Sequence, residues 1–205
     1  MLQANSTVLF QGDSITDAGR SREFDSRLGT GYPDHVNKLL AKENPNLNIK
    51  VINRGISGNR AIDLVNRWEK DCIAIKPDYV SILIGVNDTW RKYDSNDETT
   101  ADLFKERLKK IVEDTLAKTT AQIILLNPFL LDVNETVIRM REDLCFKQKA
   151  VFEVSKEYGT RFLDLDAVFA EAVKKTAPDV FSADGVHPTQ EGHAIIAAEW
   201  LKVWQ

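Results

Sequence analysis

Cysteine and histidine are both scarce in this chain. The two cysteines, Cys72 and Cys145, lie far apart, and neither has a histidine close by in sequence. Such spacing offers no zinc-type ligand set, and the pair reads as two reduced core thiols of a cytoplasmic protein. No apolar stretch reaches the ~18 residues that a membrane-spanning helix needs. Positive charge is not in excess either: the formal net charge is −4, which gives no general attraction to nucleic acid or to an anionic membrane. The first residues, Met1 to Thr7, lack both a basic region and a long apolar region, so no signal peptide is expected. Repeats, low-complexity tracts and linkers are absent too. Residues 1–205 therefore read as one domain, large enough to bury roughly 70% of the unfolded chain's surface.

What the chain does contain is an alternation of two apolar periods. Short runs at Thr7–Phe10, Ile49–Ile52, Tyr79–Ile84, Gln122–Leu126 and Arg161–Leu163 predict five strands. Between them, apolar residues recur every three or four positions. Pro33 with Val36, Leu39 and Leu40 predicts a helix ending near Asn44, and Ile62, Val65, Trp68 and Cys72 predict one over 61–74. Phe104 to Thr115 and Val137 to Val154 predict two more. A helix over Ala167–Lys175 follows, then one from about Pro188 with Ile195, Ala198, Leu201 and Trp204 on its apolar side. Strands alternating with helices imply a parallel sheet covered on both faces, an α/β fold.

One stretch organises the chemistry. Val8-Leu9-Phe10 breaks at Gly12, and Ser14 follows at the carboxyl edge of the predicted sheet, where open α/β folds place ligands. A serine at neutral pH needs a base, and the base needs something to hold it. Only three histidines can serve. His35 and His193 fall within predicted helices and read as packing or surface residues. His187 lies in a loop three residues after Asp184, with Gly185 permitting a tight turn and Pro188 holding it extended. Asp184 can then reach Nδ1 and aim Nε2 outward. An ester attacked by Ser14 becomes an oxyanion, which needs donors already in place. The backbone N–H groups of Ser14 and Gly58 and the side-chain amide of Asn87 are the candidates. Gly58 is expected to allow a close backbone approach, and Asn87 is expected in a loop past the strongest strand. Asp13, Tyr32, Trp90 and Arg91, with Arg60, are candidates to line a substrate cleft, although Asp13 and Asp88 read first as braces of their loops. A metal-dependent phosphate-transfer site built on Asp13, Asp164 and Asp166 is set aside, because it leaves His187 and Asn87 without roles.

Four segments carry a family resemblance: Gly12-Asp13-Ser14-Ile15, Asn53-Arg54-Gly55-Ile56-Ser57-Gly58, Gly85-Val86-Asn87-Asp88 and Asp184-Gly185-Val186-His187-Pro188. In order and spacing they resemble the SGNH, or GDSL-type, hydrolases, with Ile15 where the family name has leucine. The resemblance implies a three-layer flavodoxin-like fold and a five-stranded parallel sheet. It also implies Ser14 as nucleophile, His187 as base, Asp184 as its orienter, and Ser14, Gly58 and Asn87 as the oxyanion hole. No metal and no organic cofactor are implied. Leu28-Gly29-Thr30-Gly31-Tyr32 and Thr89-Trp90-Arg91 narrow the similarity to carbohydrate acetylesterases such as the bacterial acetylxylan esterases, many of which self-associate, so a homo-oligomer is an open expectation. The expected substrate is a small-molecule ester or an acetylated oligosaccharide. The alternatives are a lysophospholipase or thioesterase with a long acyl pocket, and a sugar-binding module without catalysis.

Overall fold

Each of the five apolar runs forms a strand, and all five pair side by side in parallel. The computed structural model describes residues 1–204. In chain order the elements are β1 (Thr7–Gly12), α1 (Ser14–Asp17), α2 (Tyr32–Glu43), β2 (Lys50–Asn53), α3 (Ala61–Asp71), β3 (Tyr79–Leu83) and α4 (Val86–Asp94). They continue with α5 (Ala101–Lys118), β4 (Gln122–Leu126), α6 (Glu135–Tyr158), β5 (Arg161–Leu163), α7 (Leu165–Ala172) and α8 (Gln190–Lys202). The sheet runs β2-β1-β3-β4-β5, the doubly wound order of flavodoxin-like folds. The order reverses at β1, beside β3, so the carboxyl ends of these two strands form the crevice where such sheets hold ligands.

Two cores explain the layering. On one face Val8, Phe10, Tyr79 and Ile124 pack with Val36 and Leu40 of α2 and Ile196 and Trp200 of α8. On the other, Leu9, Val80, Ile82 and Ile123 pack with Leu64 and Trp68 of α3, Phe104 and Leu108 of α5 and Val151 of α6. Successive strand residues thus enter opposite cores, and parallel strands covered on both sides carry continuous apolar runs for that reason. Each such side chain contributes about 1.5–3 kcal/mol on burial. The two fully enclosed indoles satisfy their N–H groups, Trp68 of α3 to Thr115 Oγ1 of the neighbouring α5 at 2.9 Å and Trp200 of α8 to Ser81 Oγ of the sheet at 3.0 Å.

Four sequence expectations need correction. The segment after Gly85 is not a loop but helix α4, on which Val86, Trp90 and Tyr93 recur at helical spacing and face the core. A one-turn helix, α1, starts at Ser14 itself. The buried side of α8 is His193, Ile196, Ala197 and Trp200; of the expected stripe, Trp204 is buried just past the helix end, Ile195 and Leu201 pack half-buried against the same core, and Ala198 is exposed. Finally, Cys72 is a core thiol, pushed up to about 12 by burial, but Cys145 is exposed on α6. Among the described residues no helix is long and apolar enough to cross a membrane.

Candidate active site

β1 ends at Gly12, where only glycine fits: a Cβ there would stand 2.3 Å from Thr16 Oγ1 and 2.4 Å from the Leu83 carbonyl. The chain then turns directly into α1. Asp13 caps that turn by accepting from Ile15 N at 3.0 Å, which places Ser14 at the first helical position. The Ser14 hydroxyl lies 2.8 Å from Nε2 of His187, 173 residues away.

His187 is held by its own loop. Its Nδ1 is 2.6 Å from Asp184 Oδ2, and Asp184 Oδ1 accepts from the backbone N–H groups of Val186 at 2.9 Å and His187 at 2.7 Å. Partial burial opposes ionisation of Asp184, but the bonds from His187 and Val186 outweigh it and hold the carboxyl below its ordinary range. An ionised Asp184 accepts a hydrogen bond from Nδ1–H and so keeps the ring proton on that nitrogen, which leaves Nε2 as the acceptor for the Ser14 O–H. Gly185 adopts φ +83° and sits against the Leu131 carbonyl, 2.4 Å from where a Cβ would be; its own carbonyl accepts from Leu131 N at 2.9 Å. The loop is therefore fastened to the segment after β4.

The other two segments meet the same edge. Asn53 donates to the carbonyls of Thr16 at 2.6 Å and Leu28 at 2.9 Å, and Ile56 N donates to the Gly12 carbonyl at 3.1 Å. Asp17 accepts from Arg22 at 2.6 Å and from both N and Oγ of Ser57 at 2.9 Å, and these bonds hold it ionised despite burial. Gly58 follows at φ +82° with no atom within 4 Å of a would-be Cβ. Its glycine identity is thus set by the left-handed backbone. Asn87, buried in the first turn of α4, spends one amide hydrogen on the Asn59 carbonyl at 3.0 Å.

The proposed cleft residues divide. The half-buried Trp90 ring lies 5.9 Å from the His187 ring, beside Ser14's partner. Arg91 sits behind it, paired with Asp94 and 6.0 Å over the indole. Arg60 is paired with Asp97 at 2.8 Å. Tyr32 does not reach a cleft: it is wholly enclosed, with its hydroxyl 3.0 Å from Thr16 Oγ1 beneath α1. Asp13 is enclosed as well and braces the turn instead of meeting a substrate; burial pushes it up to about 7, against the Ile15 bond and the charge of His187. Asp88 braces α3 by accepting from Ala61 N at 3.0 Å, and burial raises it to about 6. Arg67 escaped the sequence reading. It joins Gln11 Oε1 at 2.8 Å, Asn59 Oδ1 at 2.9 Å and Asp71 at 3.1 Å, tying the end of β1 to the Gly58 segment. Within α3 it looks like any solvated charge, and nothing local marks it. Among the described residues no three His, Cys, Asp or Glu side chains gather to hold a metal ion.

A hydroxyl bonded to a neutral imidazole, itself oriented by a carboxylate, is the arrangement that makes serine a nucleophile. Comparison with known proteins agrees with that chemistry. Residues 10–195 match the model of the GDSL-like lipase/acylhydrolase family. The chain is 40% identical over 203 residues to an acetylxylan esterase of Geobacillus stearothermophilus, covering 95% of this chain and 92% of that one. An acetylxylan esterase of Xylanibacter ruminicola is 29% identical over 204 residues, of which this chain spans 39% of the length. The crystal structure of the Geobacillus enzyme superposes with a TM-score of 0.91 at 39% identity, over 98% of this chain and 94% of that one. Catalytic mutants of that enzyme, with a serine, a histidine or an aspartate changed to alanine, superpose equally well. The chain belongs to the GDSL-like lipase/acylhydrolase family and is a carboxylic ester hydrolase.

Proposed function

We propose that this protein removes acetyl groups from carbohydrates, with xylooligosaccharides as the substrate class, through an acyl-enzyme on Ser14. The observation that carries the reading is the continuous chain from Ser14 Oγ to His187 Nε2 at 2.8 Å and from His187 Nδ1 to Asp184 at 2.6 Å. Ser14 Oγ attacks the ester carbonyl while His187 Nε2 takes the hydroxyl proton, and Asp184 stabilises the imidazolium that forms. The tetrahedral oxyanion is received by the N–H groups of Ser14 and Gly58 and the free amide hydrogen of Asn87. Collapse breaks the ester C–O bond, and the imidazolium returns its proton to the departing sugar oxygen. Water, deprotonated by His187, then attacks the acyl-enzyme; the acyl C–Oγ bond breaks, His187 returns the proton to Ser14 Oγ, and acetate leaves.

The acetyl assignment draws on the two acetylxylan esterases among the relatives, and the Trp90 ring beside His187 offers a flat apolar surface for a sugar or a short acyl group. A series of p-nitrophenyl esters from two to twelve carbons, run beside acetate release from acetylated xylooligosaccharides, tests it. Activity is expected to be highest on the two-carbon ester and to extend to the oligosaccharide. A maximum at eight carbons or longer replaces this reading with a lysophospholipase or thioesterase. Sugar binding without labelling of Ser14 by a fluorophosphonate replaces it with a binding module.

A further inference from the structure

Lys147 is wholly enclosed, a place where ammonium groups almost never lie unless paired. It belongs to α6, and its Nζ bonds to Asp143 one turn earlier. The same Asp143 carboxylate accepts from Thr89 Oγ1 at 2.8 Å, and its other oxygen is 3.5 Å from Lys92 Nζ. Thr89 and Lys92 lie on α4. One carboxylate of α6, pinned from below by a buried ammonium, therefore grips two residues of α4. On its other side the first turn of α4 is tied to the approach to α3, by Asp88 accepting from Ala61 N and by Asn87 donating to the Asn59 carbonyl. Gly85, which precedes the helix, provides no side-chain cap. These lateral bonds, with Tyr93 Oη donating to the Arg139 carbonyl of α6 at 3.0 Å and Val86, Trp90 and Tyr93 packed against the core, hold α4 in place, and the ones at Asn87, Asp88 and Thr89 act on its first turn.

Stability alone accounts poorly for the buried pair. Desolvating two charges is costly, and well-packed apolar residues often replace such a pair without loss. Fixing the register of one helix on another is the use that such pairs serve best. We propose that Asp143, held by Lys147, is a positioning residue for ester hydrolysis: through Thr89 it sets α4 so that Asn87 presents its free amide hydrogen to the oxyanion. The inference rests on the reading of Asn87 as an oxyanion donor.

Thr89→Val tests the link, because it removes only the hydroxyl and keeps the branched shape and the Asp143–Lys147 pair. With p-nitrophenyl acetate it is expected to lower kcat about 10-fold with KM nearly unchanged, and Thr89→Ser to restore kcat. Asn87→Ala alone is expected to lower kcat about 10²-fold or more, and adding Thr89→Val to it to lower kcat no further. An unchanged kcat in Thr89→Val overturns the proposal, as does an equal factor lost with and without Asn87, which is what a merely structural role gives. An Asn87→Ala variant with wild-type kcat overturns the donor reading itself, a separate result from either of these.

Discussion

The two halves of the site are built in opposite ways. Ser14 stands on a turn sunk into the molecule, with Ile15, Thr16 and Asp17 buried behind it. That turn is fixed by residues from far along the chain: Asn53 on the Thr16 carbonyl, Ser57 on Asp17, Ile56 on the Gly12 carbonyl. His187 and Asp184 are about half exposed, at 44% and 48%. Their hydrogen bonds are local, among Asp184, Val186 and His187, with the Ser182 hydroxyl on the His187 carbonyl at 2.8 Å. Ser14 is thus aimed by several distant segments, and His187 mainly by its own loop, which the Leu131–Gly185 backbone bond ties to the segment after β4. Damage to the supports of the first half is expected to cost stability and rate together, whereas loss of the Ser14 hydroxyl itself, or damage to the second half, is expected to cost rate alone.

The largest effect sharpens this contrast. The Ser14 hydroxyl bonds to the exposed His187 side chain, so Ser14→Ala removes the chemistry and little else. Hydrolysis of p-nitrophenyl acetate is expected to fall about 10⁴-fold, and to fall similarly for His187→Ala. Melting temperatures of both are expected to stay within about 3 °C of the wild type, which is roughly 1 kcal/mol for a chain of this size. Wild-type turnover in Ser14→Ala ends the nucleophile assignment. A large loss of Tm in His187→Ala breaks the claim that the His187 side chain carries little of the fold.

The same division decided what could be read from the sequence. The base half was legible because an aspartate three residues before a histidine, around a glycine and before a proline, reaches Nδ1 through local geometry. The strands were legible because a parallel sheet covered on both faces demands continuous apolar runs, and Tyr79 to Leu83 has every residue buried. The supports of the nucleophile were not legible. Tyr32 has the composition of a cleft residue, but its burial under α1 is decided by α8 and the sheet packing over it. In the sequence helix α4 reads as a loop, although Val86, Trp90 and Tyr93 recur at helical spacing; its buried Asn87, Asp88 and Thr89 are polar, and only the fold supplies their partners on α6 and at the approach to α3. Arg67 and Lys147 look like surface charges in a helix; only tertiary structure turns one into a tie and the other into a buried anchor.

A smaller effect falls on the nucleophile half. A Cβ on Gly55 would stand 2.4 Å from Asp17 N and 2.7 Å from Thr16 C, both backbone atoms with no free end to swing aside. Gly55→Ala must therefore displace either α1 or its own loop. Overpacking of this kind costs about 1–3 kcal/mol, and here the displaced backbone carries Ser14, so urea unfolding and ester hydrolysis are expected to report losses together. Full stability with full activity in this variant means that the turn is looser than its contacts imply, and the contrast between the halves fails.

The two histidines that close the chain give the smallest effect and the finest test, because they sit six residues apart on opposite sides of this division. His193 is enclosed, with Nδ1 accepting from Tyr32 N at 3.1 Å. Burial lowers it from 6.5 to about 4, and the charges of His35 and His187 act in the same direction. Because the folded value is the lower one, the unfolded chain takes up a proton between pH 6.5 and 4 that the folded chain refuses. Its contribution is then complete above pH 6.5 and is lost as pH falls toward 4, by about 2–3 kcal/mol. Urea unfolding of the wild type and of His193→Gln at pH 7 and pH 4.5 isolates this group, because the other buried groups that titrate, Asp13 and Asp88, are common to both proteins. The variant is expected to be less stable at pH 7, having lost a well-placed acceptor for Tyr32 N, and to lose about 2 kcal/mol less than the wild type on going to pH 4.5. Equal losses in the two proteins mean that His193 takes up its proton in the folded state as readily as in the unfolded chain, and the enclosure that separates it from His187 is then not real.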